Sequence, residues 1–271
     1  MEAIIYITIF IIGTLFGSFF TLATYRIPLG QDITHKRSYC PNCNHRLEFW
    51  DMIPIFSYIF LKGKCRYCKQ KIKPKYLLLE VLSGLTFLMF ALSLKLNIYN
   101  LKLNLLIYLI YGLLYISTLF IIAGIEKENH KIQKSVLLFG FVINAIYIIY
   151  LYIFKFDIYK YGIYLIIILI IALIDVIFTK KKGKQNYSTS ILLLCFYMVL
   201  ATNEEIVILS IITTLLAIAI TQILISLKDD KSKIIKEEQM NIPIGMYLCI
   251  TNIMFLIVQN LITGVNIWKS F

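Results

Sequence analysis

Four cysteines, arranged as two pairs, stand close together in this 271-residue chain. Two residues separate the cysteines within each pair, and about twenty residues separate one pair from the next. This spacing is typical of a tetrathiolate zinc site, because each tight Cys-x-x-Cys turn supplies two of the four soft ligands of a tetrahedral Zn²⁺. We predict one structural zinc ion bound by Cys40, Cys43, Cys65 and Cys68.

Disulfide bonds are the alternative use of these cysteines. Disulfides persist in oxidising compartments, whereas the charge pattern described below places this loop in the cytosol. Cys195 and Cys249 lie in apolar segments, and we assign them no chemistry. His130 is not expected to bind the metal, because four thiolates already complete a structural zinc site.

Long apolar runs dominate the rest of the chain, and 59% of all residues are hydrophobic. About twenty helical residues cross the hydrocarbon core of a bilayer, where helices satisfy every backbone amide. The sequence therefore predicts an all-α integral membrane protein, with about eight transmembrane helices and a small cytosolic zinc loop after the first. The predicted spans are residues 3–25, 76–94, 103–125, 135–154, 161–179, 189–203, 205–227 and 242–266.

The lysines and arginines predict the orientation of these spans. Of the 27 Lys and Arg residues, 22 fall in four alternate loops, at 26–75, 126–134, 180–188 and 228–241. Because basic loops stay on the cytoplasmic side, we predict an N-terminus outside the cell and a cytosolic zinc loop in the plasma or inner membrane. Anionic lipid head groups attract such residues, so the formal charge of +12 requires no nucleic acid partner.

Three parts follow from this reading. Residues 1–28 form the first transmembrane helix, residues 29–75 the cytosolic zinc-binding loop, and residues 76–271 a membrane helical bundle. The loop is too small for a hydrophobic core of its own, so the metal is expected to supply much of its order. Its aromatic stretch, residues 49–58, is expected to pack against the cysteine turns or against the bilayer surface.

Several short motifs surround the cysteine pairs, and another lies near the end of the chain. They are Gly17-Ser18-Phe19-Phe20-Thr21-Leu22-Ala23-Thr24-Tyr25-Arg26-Ile27-Pro28, Asp51-Met52-Ile53-Pro54, Gly63-Lys64-Cys65-Arg66-Tyr67-Cys68, Pro74-Lys75-Tyr76 with Glu80 and Gly84, and Ile242-Pro243-Ile244-Gly245. Together they resemble the motifs of type IV prepilin peptidases. The resemblance covers most of the chain; it is strong over residues 13–84 and weaker beyond them.

This resemblance implies a bifunctional membrane enzyme. Members of the family cleave the leader of type IV pilin-like precursors at the cytosolic membrane face, and then methylate the new amino terminus with S-adenosylmethionine. By resemblance, 29–75 is the methyltransferase-type region and 76–271 the aspartic-peptidase-type region. The peptidase uses two aspartates, one of which can hold a proton while the other activates water.

The two catalytic aspartate positions carry other residues in this chain. Glu126 stands at the first position, and Gln133 replaces the proline that follows it in the family. Asn186 stands at the second position, where Gln185 replaces a glycine. A longer carboxylate can still act as a base, but an asparagine amide cannot exchange a proton at a useful pKa.

Two further carboxylates are candidate site residues. Asp175, near the cytosolic end of the fifth span, is a second choice as partner of Glu126, because carboxylates in membrane helices are often functional. We favour its alternative, solvation at the interface or pairing with Lys180–Lys182. Glu80 either contacts the substrate amine or methyl donor, or forms an ion pair with Lys75 or Lys73.

Two functions from different classes therefore remain. The first is a prepilin leader peptidase, with N-methyltransferase activity as a second reaction. The alternative is a catalytically silent relative that binds pilin precursors or pilus and secretion assembly proteins. Many members of the family have Asn at the position of Thr21, in the part of the protein associated with methyl transfer. The resemblance therefore does not establish methyl transfer, just as it does not establish peptide cleavage. A transporter is disfavoured, because the spans lack paired Gly- or Pro-broken helices and charges at mid-depth.

Overall fold

The described part of the chain is mainly helical. The structure is a computed structural model that describes residues 2–35, 37–96, 102–154, 159–182, 187–228 and 242–263. Within these ranges there are nine α-helices and no β-strand. The helices are α1 Glu2–Arg26, α2 Phe56–Phe60, α3 Lys75–Ser93, α4 Leu103–Asn129, α5 Lys134–Ile153, α6 Tyr159–Lys182, α7 Tyr187–Ala201, α8 Glu204–Lys228 and α9 Ile244–Thr263.

Eight of these helices coincide with the eight predicted spans. Six of them, α1, α3, α4, α5, α8 and α9, are long and apolar enough to cross a membrane. The apolar part of α6, Tyr161–Ile177, and the whole of α7 are shorter. The predicted all-α membrane fold, with the cysteine loop following the first helix, is confirmed, and the chain is a multi-pass membrane protein.

One helix end differs from the prediction in a way that matters for the site. We predicted the third span to stop at residue 125, which would leave Glu126 in a loop. Instead α4 continues to Asn129, so that Glu126 lies on its last turn. The apolar run ends at Ile125, but Glu, Lys and Asn continue a helix at little cost. Hydropathy therefore marked the end of the apolar run and not the end of the helix.

The chain divides into two compact units, Met1–Leu113 and Leu114–Phe271. In the first unit, α1 and α3 form a closely packed antiparallel pair. A Cβ added to Gly13 would lie 2.8 Å from the Cα of Gly84, and one added to Gly17 would lie 2.7 Å from the Cα of Glu80. The Ser83 hydroxyl donates to the Gly13 carbonyl at 2.7 Å. Small residues at the contact thus let two membrane helices approach closely.

In the second unit, polar side chains tie the helices together. Tyr197 of α7 is fully buried, and its hydroxyl hydrogen-bonds to Thr118 of α4. The Asn144 amide of α5 donates to the Tyr197 carbonyl at 3.1 Å. Between α4 and α9, the Tyr115 hydroxyl donates to Asn252 at 2.6 Å. In lipid such bonds contribute because apolar side chains gain little by leaving the hydrocarbon.

Candidate functional sites: a cysteine cluster and a buried carboxylate

The four cysteines of the loop converge in space. Their Sγ atoms all lie within 4.8 Å of one another, and those of Cys40 and Cys68 are 3.8 Å apart. None of the six cysteines forms a disulfide bond in the structure, which agrees with the predicted metal site and not with its alternative. A Zn–S bond of about 2.3 Å in a tetrahedron requires thiolates roughly 3.8 Å apart. Both the geometry and the all-thiolate donor set therefore suit a metal ion such as zinc.

Two turns of the same geometry present these ligands. In the first, the Cys40 N–H donates to the His45 carbonyl at 3.0 Å, and Asn44 has a left-handed φ of 55°. In the second, the Cys65 N–H donates to the Gln70 carbonyl at 2.9 Å, and Lys69 has a φ of 60°. A single bridge closes each turn, between residues 39 and 46 and between residues 64 and 71. Because each turn directs two thiols the same way, the loop brings four to one point.

Hydrogen-bond donors surround the sulfur of Cys68. The Asn42 side-chain amide approaches the sulfur of Cys68 at 3.6 Å. The backbone N–H of Gln70, followed by the Asn42 amide, lowers the pKa of Cys68 to about 6. Metals bind the thiolate and not the thiol. The hydrogen bonds thus favour the thiolate of Cys68, whereas burial and the neighbouring Cys68 and Cys40 thiols raise the pKa of Cys43 to about 11.

Asp51 joins the aromatic stretch to the second cysteine turn. Its side chain is nearly buried and accepts a hydrogen bond from the guanidinium of Arg66 at 2.7 Å. The Tyr67 hydroxyl lies 3.4 Å from the same carboxylate. The ring of Tyr67 also contacts the His45 ring of the first turn, with centroids 3.5 Å apart. These contacts fix the two turns against each other, and the sequence did not reveal this role of Asp51.

Glu126 is completely buried on the last turn of α4. This end of the helix is predicted to face the cytosol. One carboxylate oxygen accepts hydrogen bonds from the Gly245 N–H at 2.9 Å and from the Tyr187 hydroxyl. The backbone N–H of Met246 also faces the carboxylate. These amides belong to the first turn of α9, where unpaired N–H groups attract negative charge. The other oxygen, Oε2, has no hydrogen-bond partner among the described residues.

The late Ile-Pro-Ile-Gly motif has a direct part in this arrangement. A Cβ added to Gly245 would lie 2.3 Å from Oε2 of Glu126. A side chain at position 245 would therefore require the Glu126 carboxylate to move. The sequence singled out both residues, but separately, and the structure shows that they are in contact.

Asp175 is buried but has different partners. Its carboxylate forms an ion pair with Lys134 at the start of α5 and accepts a hydrogen bond from Thr189 at 2.5 Å. Lys134 is therefore its ionic partner, and the side chains of 180–182 lie outside the described residues. So do Gln185 and Asn186, the second catalytic position. The pairing of Glu126 with Asn186 or with Asp175 stays a prediction.

Glu80 accepts a backbone hydrogen bond that neither of its expected roles included. Its Oε2 accepts a hydrogen bond from the backbone N–H of Ile55 at 2.8 Å, and the Ser18 hydroxyl is a second partner. The carboxylate thus connects α1, α3 and the loop. No sequence pattern pointed to Ile55 as its partner, because the donor is a backbone group and carries no residue signature.

Comparison with known families places the similarity mainly in the first unit. Residues 11–94 match the family described as Bacterial Peptidase A24 N-terminal domain. A prepilin leader peptidase/N-methyltransferase of Myxococcus xanthus (strain DK1622) is 40% identical over 79 residues, which are 29% of this chain and 24% of that protein.

Two further relatives carry the same name and match over longer stretches. The protein of Klebsiella pneumoniae is 30% identical over 136 residues, 48% of this chain and 56% of its own length. That of Bacillus subtilis (strain 168) is 33% identical over 135 residues, 48% of this chain and 49% of its own. The chain thus aligns with about a quarter to somewhat over half of each of these curated relatives. No solved structure matches it significantly.

Proposed function

Because this chain belongs to the prepilin leader peptidase/N-methyltransferase family, we propose that it acts on type IV pilin-like precursors at the membrane surface. The observation that carries the proposal is the four-cysteine cluster between α1 and α3, inside the region 11–94 that matches the family. The proposed reaction is removal of the precursor's leader by an aspartic-type peptidase. Methylation of the new amino terminus, with S-adenosylmethionine as the methyl donor, is the proposed second reaction.

The metal of this loop is proposed to be zinc with a structural role. Cys40, Cys43, Cys65 and Cys68 would hold it, and four protein ligands leave no open position for chemistry. The ion would order a segment that has little core of its own. The loop, 29–75, is proposed to serve methyl transfer, and residues 76–271 peptide cleavage.

Peptide cleavage at a carboxylate pair needs one group to accept a proton from water and another to protonate the scissile carbonyl or leaving amine. In this proposal Glu126 supplies the base, since it is a carboxylate at the first family position. Asn186 can donate a hydrogen bond to the carbonyl but cannot transfer a proton. The present pair is therefore expected to lose about 10²–10⁴-fold of the rate that a full carboxylate pair gives.

A silent relative that binds precursors or assembly proteins is the second candidate. It is favoured by one observation: one oxygen of Glu126 already accepts two hydrogen bonds, and the side chain has no exposed surface. A carboxylate held at the start of a helix in this way contributes to packing without any reaction. The two candidates share the substrate class and differ in whether water is activated.

A cleavage assay separates them. A pilin-like precursor is incubated in membranes with wild type, Glu126→Gln, Asp175→Asn and Asn186→Asp, and leader removal is followed by mass. The enzyme proposal expects slow cleavage by wild type, none by Glu126→Gln and faster cleavage by Asn186→Asp. Asp175→Asn is the control for a buried carboxylate held in an ion pair.

Each other outcome has a defined meaning. If Asp175→Asn abolishes cleavage as Glu126→Gln does, and Asn186→Asp leaves the rate unchanged, Asp175 and not Asn186 is the partner of Glu126. Cleavage that Glu126→Gln leaves unchanged would exclude Glu126 as the base. If no variant cleaves but the precursor still co-purifies with the protein, the silent-relative function is correct.

A further inference from the structure

The loop exposes a group of large apolar side chains that the metal site does not use. Five of them, four aromatic side chains and one isoleucine, are between 61% and 80% exposed, and together they form an exposed apolar patch. Asp51 of the same stretch contacts the second cysteine turn, which is one of the two roles expected for this stretch, whereas these five side chains leave most of their surface exposed. We call them the aromatic ridge: Phe49, Trp50, Phe56, Ile59 and Phe60.

The ridge has a defined shape. Phe49 and Trp50 belong to a short 3₁₀ helix, and their rings meet edge to face at 5.7 Å between centroids. This 3₁₀ helix contacts α2, whose residues 56, 59 and 60 share one face by helical spacing. The exposed side chains therefore form one surface and are not scattered singly.

A strained turn sets the direction of α2. Ile55 has φ 65° and ψ −55°, and the Phe56 N–H donates to the Pro54 carbonyl at 2.6 Å. This is a γ-turn in the positive-φ region, which is rare and costly for a β-branched residue. The hydrogen bond from the Ile55 N–H to Glu80 holds the turn. Such strain persists only where the surroundings enforce it.

The hydrogen bond between Ile55 and Glu80 also relates the position of the ridge to the start of α3. Glu80 lies five residues inside the membrane span that begins at Lys75, or roughly 7–8 Å along the helix. Its second partner, Ser18, lies within the first span. If the candidate span of α3 starts at the bilayer boundary, the ridge, which directly follows Ile55, begins at the level where interfacial helices bury their apolar faces, about 5–10 Å into the head-group boundary.

We propose that the aromatic ridge inserts into the lipid interface and holds the metal loop on the bilayer surface, with Glu80 as the residue that positions it. The composition agrees with this role. Trp and other aromatic side chains favour the head-group level. Residues 26–75 also contain 11 Lys and Arg against three Asp and Glu, which suits anionic lipid.

Tryptophan quenching in the full-length protein tests the proposal. Trp50 and Trp268 are the two tryptophans of the chain, so Trp268→Phe leaves a single reporter on the ridge. The protein is reconstituted into vesicles of phosphatidylcholine and phosphatidylglycerol, with bromine placed near the glycerol end of the acyl chains. We expect strong quenching of Trp50 by this lipid, blue-shifted emission and little quenching by aqueous acrylamide.

The matched control carries Trp50→Phe, Trp268→Phe and Gln70→Trp, which moves the reporter to an exposed polar position of the second cysteine turn. Its tryptophan should respond to acrylamide and not to brominated lipid. Glu80→Ala in the Trp50 background should remove most of the lipid quenching, whereas Glu80→Gln should retain it, because an amide oxygen still accepts the Ile55 N–H. Metal content equal to that of the parent shows that the loop remains folded.

Several results would overturn the proposal. One is a Trp50 that acrylamide quenches freely in vesicles. Another is equal lipid quenching at positions 50 and 70. Shielding of Trp50 only after a pilin-like precursor is added would make the ridge a protein-docking surface instead. Unchanged lipid quenching in a folded Glu80→Ala protein would show that Glu80 does not position the ridge.

Discussion

Gly245 controls where the Glu126 carboxylate can lie. Since an added Cβ would fall 2.3 Å from Oε2, Gly245→Ala must displace the carboxylate from the start of α9. We expect destabilisation of about 1–3 kcal/mol, the usual range for an overpacked buried site. It is measured as a lower thermal unfolding midpoint in detergent micelles.

The control for this substitution is Gly162→Ala. Gly162 also lies in a helix, but a Cβ there meets nothing within 4 Å, so stability should stay equal or rise slightly. Glu126→Asp shortens the carboxylate by one methylene and should partly rescue Gly245→Ala in a double-mutant cycle. Additive effects of the two substitutions would show that the residues do not interact.

At the scale of elements, the loop between α1 and α3 is expected to depend on its metal. Purified protein should contain about one zinc per chain, because four thiolates complete one tetrahedral site. Cys40→Ser with Cys65→Ser removes the buried ligand of each turn and should abolish zinc binding. Limited proteolysis should then cut within 29–75 and leave the helices intact, since metal binding and loop folding are coupled. Cys195→Ser, outside the cluster, should keep both the zinc and the protease resistance.

Packing of α1 against α3 is expected to be disrupted by a larger residue at Gly17. A Cβ at this position would lie 2.0 Å from the Ser83 hydroxyl and 2.7 Å from the Cα of Glu80. Ser83→Gly removes the first contact but not the second, which involves the backbone. Gly17→Ala should therefore lower the unfolding midpoint even in the Ser83→Gly background. Full recovery in that background would mean that the side-chain clash alone limits how closely the helices approach.

The orientation of the whole molecule is a prediction from its basic loops. Reporter fusions after residues 130 and 184 should report the cytosol, and fusions after residues 97 and 204 the outside, because 22 of 27 Lys and Arg lie in alternate loops. Placement of 130 and 184 on opposite faces would deny Glu126 and Asn186 a common active site. The cytosolic placement of the cysteine loop would also fail if the fusion after residue 97 reported the cytosol, because one span separates the two.

The sequence alone determined the elements whose signals are local. Apolar runs of membrane-spanning length predicted eight helices, and the structure places eight at those positions. Cysteine spacing predicted one four-ligand cluster, because a Cys-x-x-Cys turn constrains its own geometry. Motifs over 13–84 predicted the family. Each of these signals lies within a few adjacent residues.

Only the tertiary structure decided which distant groups meet. Glu126 contacts an amide 119 residues away at Gly245, and Glu80 accepts a hydrogen bond from Ile55, 25 residues earlier. In both cases the donor is a backbone N–H, which every residue but proline carries, so no residue type reveals it. Asp175 likewise pairs with Lys134, 41 residues away, a partner that the sequence did not indicate. Packing of helices brings these groups together, and hydropathy and spacing do not record that packing.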